Sequence, residues 1–492
     1  MAKNEKVDDL AERATRLKKV EQLRAAGVNP YPVRFSVSKT AAQARQLKIG
    51  TKNIRLAGRI TSIRAMGKLA FSHLQDSSGK IQIVFKEDEL AKGQFQFFNE
   101  NFNLGDFIGV SGELFKTKKG EISLLVKKFE LLTKAVRPLP EKWHGLKDQE
   151  QRYRKRYLDL VANTEVRDLF KQRTNFIKEI RSYLDNNDFL EVETPVLEHV
   201  PGGADAEPFV THHNTLDIDL YLRISLELHL KRLLVGGYER IYELGKVFRN
   251  EGMSTQHLQE FTMLEFYAAY LDFNDLMDFC EKMYKTIIKK VIGTLKVEYQ
   301  GKQIDFGKKW EIVDYRRALI DYTGIDIYNF TTRDKLTAEI KKQKLDLEVD
   351  KSMGLGRVTD QLYKKYARPK IVQPTFLIKH PISVSPLAKK HPVNPFVTER
   401  FQIIVDGAEV GNGFSELNDP IDQRRRFESQ MKLREQGDNE AQMIDEDYIE
   451  ALEYGMPPAA GFGVGIDRLF MILTNQPSIR DVVFFPTMKP KK

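Results

Sequence analysis

Between Ile54 and Leu132 the chain breaks into five short strand-like runs, IRLAGRITSIR, LAFSHLQD, KIQIVF, DFIGVSGELF and ISLLVKKFELL, with turn signals at Asp76–Gly79 and Lys118–Gly120. Short strands must pair to satisfy their backbone groups, and five of them in about 80 residues point to a small barrel. Ahead of this block, residues 5–26 read as a helix. Val7, Leu10, Ala14 and Leu17 form a narrow apolar stripe among Arg13, Arg16, Lys18 and Lys19, and Gly27, Pro30 and Pro32 end it. After it, VRPLPEKWHGLKDQEQRYRKR (136–156) has two prolines and no clear period, so it reads as a linker. Its basic end, Arg152, Arg154, Lys155 and Arg156, either faces RNA or is simply solvated. From residue 165 onward long helices and strands alternate in one large domain. Asp272 to about Glu399, with an amphipathic helix near Lys335–Leu345, reads as inserted structure without chemistry of its own. The expected organisation is a basic helical extension at 1–50, a barrel at 51–135, a linker at 136–160 and an α+β domain at 161–492 with an insertion around 272–399.

The net charge of +9 is modest for 492 residues, but residues 1–50 hold 11 basic and 5 acidic side chains, so most of the excess sits in the first tenth. A localised basic arm suits a polyanion through counterion release, and barrels of the OB type are common nucleic-acid platforms. One cysteine, Cys280, excludes an internal disulfide and a cysteine zinc cluster. The N-terminus is too polar and acidic for a secretory or transit leader, and no apolar run approaches 18 residues. The expectation is a soluble, cytoplasmic protein without a membrane span.

Chemistry concentrates at Phe248 to Glu265. IYELGKVFRNEG (241–252) reads as a strand delivering Arg249 and Glu251 to one face; a turn-rich loop, GMSTQH, follows; EFTMLEFYAAY (260–270) returns with Phe261, Glu265 and Tyr267. This antiparallel pair bears a cation, two carboxylates, an aromatic plane and His257 near the loop. The planar fork of an arginine suits phosphoryl or carboxylate oxygens, and Phe261 suits a base. Taken alone, the hairpin reads equally well as an ion-paired structural ladder. Gly461, Gly463 and Gly465 permit close backbone approach, but their spacing does not match the dinucleotide GxGxxG.

FRNEG, EFTMLEF and GFGVGIDRLF (461–470), in that order, resemble motifs 2 and 3 of the class II aminoacyl-tRNA synthetases, and FLEVETPVL (189–197) resembles motif 1. Within class II the likeness is to the lysyl-tRNA synthetases, supported by WHGLKDQEQRYRKRYLDL (143–160), PGGADAEPF (201–209), THHN (211–214), LELHLKRLLVGGYERIYE (226–243), VSPLA (384–388) and GNGFSELNDP (411–420). The resemblance implies ATP-dependent activation of L-lysine and its transfer to tRNA(Lys). It implies that Arg249 holds the ATP α-phosphate and the lysine carboxylate, that Glu251 contacts adenine or the motif 2 loop, and that His257 reaches the outer phosphates. Phe261 and Arg468 would sandwich the adenine; the other reading of Arg468 is a structural pair with Asp467. Glu265 and Glu416 would receive the ε-ammonium with Tyr267 as a neutral partner. Glu227 and the backbone at Gly202 and Gly203 would take the α-amino group, with Asn412 aiding the carboxylate and Phe414 lining the pocket. On the barrel, Phe71 would stack on a splayed anticodon base, with Gln82, Glu121 and Arg64 at its edge. Motif 1 implies a homodimer, with Phe189 to Pro195 at or near the contact.

The chain departs from the pattern in two places. Of the two glutamates expected to hold Mg²⁺ on the ATP phosphates, Glu409 is present, but the first position is Gln402. A neutral amide oxygen is a poorer ligand for a hard cation. The motif 2 loop reads QHLQEF, with Gln256, Leu258 and Gln259, which removes an arginine expected near the outer phosphates. Competing readings are an aspartate or asparagine enzyme of the same subclass, a lysyl transferase acting on protein, and a non-catalytic RNA-binding paralogue.

Overall fold

The structure, a computed structural model, describes residues 2–139, 146, 148–350, 353–437 and 441–490. Residues 140–145 and 147, which include Trp143, His144 and Gly145 of the expected linker, lie outside the described residues, as do the side chains of residues 2–9, Val7 among them. The backbone divides into two units, Met1–Leu146 and Lys147–Lys492.

In the first unit the five expected runs become β1 (Ile54–Met66), β2 (Leu69–Gln75), β3 (Lys80–Lys86), β4 (Phe107–Lys116) and β5 (Ile122–Thr133), closed into a barrel in the order β1-β2-β3-β5-β4. Alternate residues point inward, so Leu56, Ile60, Leu74, Ile83, Phe85, Val110 and Leu124 fill the interior. Phe98, from the helix Gln94–Asn101, stacks on Phe85 with ring centroids 3.9 Å apart. The N-terminal stretch is not a free arm. The helix Ala2–Ala25 and the short helix Ala41–Arg45 add Leu23, Ala41 and Ala44 to the barrel core. Arg16 of the basic set is buried, and its Nη1 donates to the carbonyls of Leu104 and Ala135, each at 3.0 Å.

The second unit is built on an eight-stranded sheet. In chain order the strands are β6 (Leu190–Glu191), β7 (Leu197–Glu198), β8 (Val210–His213), β9 (Ile218–Leu222), β10 (Arg240–Phe248), β11 (Glu260–Ala269), β12 (Lys296–Tyr299), β13 (Lys302–Asp305), β14 (Glu311–Asp314), β15 (Thr375–Ile378), β16 (Arg400–Val405), β17 (Ala408–Ser415) and β18 (Ala459–Gly465). The sheet runs β14-β15-β16-β17-β18-β11-β10-β6, antiparallel through its centre with parallel pairs at both edges. The helices Thr164–Asp185 and Phe273–Ile292 cover one face and bury Phe176, Ile180, Leu184, Leu276, Cys280, Tyr284 and Ile287 against Phe266, Phe401 and Phe462. The architecture is α+β, as expected.

Two stretches differ from the sequence reading. Residues 149–162 form two short helices, Gln149–Arg154 and Arg156–Ala162, the first capped by Asp148. Of the basic side chains in this stretch Lys155 is exposed, while the three arginines are held by acids. Arg152 and Arg156 both pair with the buried Asp159, at 2.9 and 2.6 Å, and Arg154 pairs with Glu150 at 2.7 Å. One or two helical turns carry too few residues to show a period. The segment 272–399 is also less separate than it reads, because its first helix packs on the central core and β14 and β15 extend the sheet. Only its middle has its own core, around Tyr315, Leu336, Ile340, Val358, Leu362 and Tyr363. No helix among the described residues is long and apolar enough to cross a membrane.

Candidate active site and barrel face

Antiparallel register lines up Glu243, Glu265, Gly463, Asn412 and Gln402 in one row across β10, β11, β18, β17 and β16. The row two residues along carries Ile241, Tyr267, Gly461, Phe414 and Arg400. On the face of the sheet opposite the packed helices lies a cavity of about 260 Å³, lined among others by Glu227, Glu265, Tyr267, Arg249, Phe261 and Arg468. Glu251, His257, Glu409, Asn412, Phe414 and Gly203 also line it, whereas Gly202, Gln402 and Glu416 stand behind the lining. Gly461 is a glycine for steric reasons. A Cβ there would lie 2.3 Å from both Glu416 Oε1 and Tyr267 Cε1, so the missing side chain is what brings Glu416 to the cavity wall.

One end of the cavity is acidic. Glu265 is 4% exposed; its Oε1 accepts from Ser225 Oγ at 2.7 Å and Leu226 N at 3.0 Å, and its Oε2 accepts from Tyr267 OH at 2.9 Å. Burial, and after it the charge of Glu227, push this carboxyl up to about 7 against those three hydrogen bonds. The folded form therefore holds the proton more tightly than an ordinary glutamate does, and stability is lost as pH rises between about 4.5 and 7. Wild type is expected to lose about 2 kcal/mol of stability relative to Glu265→Gln between pH 5.5 and pH 8. Urea midpoints at the two pH values check this.

Behind Glu265 lies a side chain the sequence reading passed over. Lys231 is fully enclosed; its Nζ donates to Glu227 Oε1 at 2.5 Å, pairs with Glu416, and sits 5.2 Å from the Phe414 ring centroid. Burial opposes its charge, but Glu227 and Glu416 outweigh that and raise its pKa above the ordinary lysine value; burial also pushes both carboxyls up, Lys231 pulls them back down, and the direct contacts favour the ion-paired form. The Lys231 contact falls on Glu416 Oε2, so Oε1, which stands against Gly461, keeps unused acceptor capacity. Glu227 and Lys231 are four apart on the helix Glu227–Val235, a spacing that in sequence reads as an ordinary exposed pair.

The other end is cationic. β10 stops at Phe248, so Arg249 and Glu251 are not placed by strand alternation as their spacing implied. Arg249 N still reaches Gln259 O at 2.8 Å, and Glu251 N then folds back to Arg249 O at 2.8 Å. Arg249 Nε donates to Ile224 O at 3.2 Å, and its guanidinium lies 5.3 Å from the Phe261 ring centroid. Arg468 Nη1 donates to Glu409 O at 3.0 Å and Nη2 to Gln256 O at 3.3 Å. Asp467 is engaged elsewhere: it accepts from Thr262 N at 2.7 Å and pairs with Arg173. The structural Asp467–Arg468 pairing is therefore excluded. His257 Nδ1 is 2.8 Å from Ser254 Oγ, and burial with the charges of Arg468, Arg368 and Arg249 pushes the imidazole down to about 4. Gln402 Nε2 donates to Glu409 Oε2 at 2.8 Å. Among the described residues no group of three or more His, Cys, Asp or Glu is spaced to hold a metal. One carboxylate and one amide oxygen do not cage a cation, but they fit a Mg²⁺ that keeps waters and phosphate oxygens as its other ligands.

A family model described as tRNA synthetases class II (D, K and N) matches residues 148–489. The chain belongs to this family. A second model, for an OB-fold nucleic acid binding domain, matches residues 54–132 of the synthetase. Curated relatives include a lysine–tRNA ligase of Moorella thermoacetica, 50% identical over 97% of this chain and 98% of the relative. Those of Thermotoga maritima and Bacillus subtilis are 48% and 47% identical, each with 96% of the relative's length covered.

On the synthetase barrel, Arg64 and Phe71 are register partners on β1 and β2, and Phe71 is half-buried but outside the core cluster. Gln82 Nε2 donates to Glu121 Oε2 at 2.9 Å and accepts from Ser123 Oγ at 2.8 Å. His73, absent from the sequence reading, lies 3.3 Å from Glu121 Oε1 and holds it from the other side. In the motif 1 stretch, Phe189 is a core residue packed against Phe266, while Leu190, Val196 and Leu197 are exposed.

Proposed function

We propose that this synthetase joins L-lysine to the 3′ end of tRNA(Lys) in two steps, forming lysyl-adenylate with release of pyrophosphate and then esterifying the tRNA. The observation that carries the lysine reading is Glu265, a buried carboxylate lining the cavity beside Glu227 and Glu416, three acids against one internal cation. An aspartate side chain would add a fourth negative charge there, whereas an ammonium relieves the repulsion. In this reading Glu265 and Glu416 receive the ε-ammonium, with Tyr267 holding Glu265 in place. Glu227 and the backbone at Gly202 and Gly203 take the α-amino group. Phe414 walls the pocket, and Asn412, bonded to Arg400 Nε at 2.9 Å, aids the carboxylate.

The lysine carboxylate oxygen attacks the α-phosphorus, the bond to the bridging oxygen breaks, and pyrophosphate leaves with the electron pair. Arg249 stabilises the charge that builds on the α-phosphate. Phe261 and Arg468 flank the adenine, which combines stacking with cation–π attraction, and Glu251 orders the loop beside it. His257 meets the outer phosphates as a hydrogen-bond donor. Mg²⁺ on the phosphates, with Glu409 and Gln402 nearby, would draw charge toward the leaving pyrophosphate. Gln402→Glu supplies a second carboxylate and is expected to lower the Mg²⁺ concentration for half-maximal exchange; an unchanged or higher requirement speaks against this ligand pair. The barrel reads the anticodon with Phe71 as stacking platform and Arg64, Gln82 and Glu121 at the base edge, the stacking contributing about 1–3 kcal/mol. A homodimer through motif 1 completes the reading.

Pyrophosphate exchange with each amino acid, repeated as aminoacylation of total tRNA, tests it. Lysine alone is expected to support both; exchange with aspartate, or none at all, overturns the assignment.

A further inference from the structure

The mechanism above gives Lys231 nothing to do, yet it is the most enclosed cation in the second unit's site. An i,i+4 pair that served the helix alone would need one acid and would gain little from burial. Lys231 instead joins acids from two elements. Glu227 lies on its own helix and lines the cavity, and Glu416 follows β17 and stands behind Gly461. Glu265 on β11 and Tyr448 on the helix Glu446–Glu453 face the same cluster, as does Tyr267, whereas Asp205 and Arg400 stand near Glu227 with opposite charges. Counted with every acid ionised, Glu227, Glu265 and Glu416 against Lys231 leave two negative charges. Free lysine brings two ammonium groups.

We propose that Lys231 is a positioning residue for amino-acid specificity: its ammonium keeps Glu227 and Glu416 ionised and at fixed spacing, so the cluster presents two unmatched negative charges to a substrate with two ammonium groups. The proposal rests on the lysine reading and deepens it. Two carboxylates sharing a dry space without a cation between them cannot both ionise near neutrality, so one takes a proton and stops accepting from the substrate. Lys231 removes that penalty before the substrate arrives. Because the ammonium contacts Oε2, Glu416 is held charged while Oε1 remains available.

Lys231→Met tests this by pyrophosphate exchange. The KM for lysine is expected to rise by about 10²-fold while the KM for ATP stays within about twofold, because only the ammonium contacts change. The lysine KM of the variant is expected to fall steeply from pH 6.5 to 8.5 as the carboxyls ionise, where wild type is flatter. Lys231→Arg, which keeps the charge, is expected to flatten the profile again. A variant that merely loses thermal stability, or whose lysine and ATP KM rise together without a pH trend, overturns the proposal and leaves a structural pair. A measurement on the wild-type enzyme applies even if neither variant folds. Calorimetry of lysine binding at pH 8 in two buffers of different ionisation enthalpy is expected to show release of less than one proton. One or more released means that Glu227 or Glu416 was protonated, and the proposal falls. Failure of the lysine reading itself is distinguishable, since wild type would then show no lysine-dependent exchange.

Discussion

Arg249→Ala is expected to lower kcat for lysine-dependent pyrophosphate exchange by about 10³-fold, the range seen when one preorganised donor to developing charge is removed. Among the described residues Arg249 has a single backbone acceptor, Ile224 O, and rests against the Phe261 ring. Its two terminal nitrogens are thus spare for a substrate oxygen. A residue with so few internal partners contributes little to folding, so the melting temperature should move by only a degree or two. Arg249→Lys should recover only part of the rate, because a point charge does not reproduce the two-pronged fork. Single-turnover exchange with purified variants measures this; a loss confined to the KM for lysine, with kcat intact, would show that Arg249 serves binding alone.

The second large effect is expected at Glu265. Glu265→Gln should raise the KM for lysine by about 10²–10³-fold, since an ammonium in a desolvated site loses its charged acceptor. It should also narrow the discrimination against norleucine, whose side chain ends in a methyl group. A site built to satisfy an ammonium rejects the analogue lacking it by roughly 10⁴–10⁵, because its own polar groups are left unpaired. The amide removes much of that rejection. The same variant is the one whose stability should improve relative to wild type as pH rises to 8. A lysine KM unchanged by the substitution would leave Glu265 as a structural acceptor for Ser225, Leu226 and Tyr267.

Much of this was legible in the chain. The barrel followed from five alternating runs, and the hairpin of β10 and β11 from two strand-like stretches around a turn, because period-two burial imprints directly on sequence. Gly461 was legible as close approach, though not what approached. The elements that escaped were those whose environment is set by distant residues. Arg156 looks like one of four solvated cations in sequence, and only the fold supplies the carbonyls of Arg480, Val483 and Phe484 that enclose it. Lys231 looks like the partner of Glu227 on a helix surface; its burial depends on Phe414, Glu416 and Tyr448, all more than 180 residues away. The end of β10 was misjudged for a related reason, since the fold-back at Glu251 is a backbone turn that no side chain announces. His73 was missed because its role depends on Glu121, which strand pairing brings near.

The enclosure of Arg156 has a consequence for how the molecule is made. Its guanidinium donates to the carbonyls of Phe484, Arg480 and Val483, between 324 and 328 residues further along, and Tyr153 donates to Asp481. During synthesis the two short helices at 149–162 emerge 324 to 328 residues before the carbonyl acceptors of their buried cation. Until those residues emerge, Asp159 can pair with Arg156 but the carbonyls that complete its enclosure are missing. The barrel core, by contrast, is drawn from Leu23 to Leu131 and is complete in sequence before those acceptors emerge.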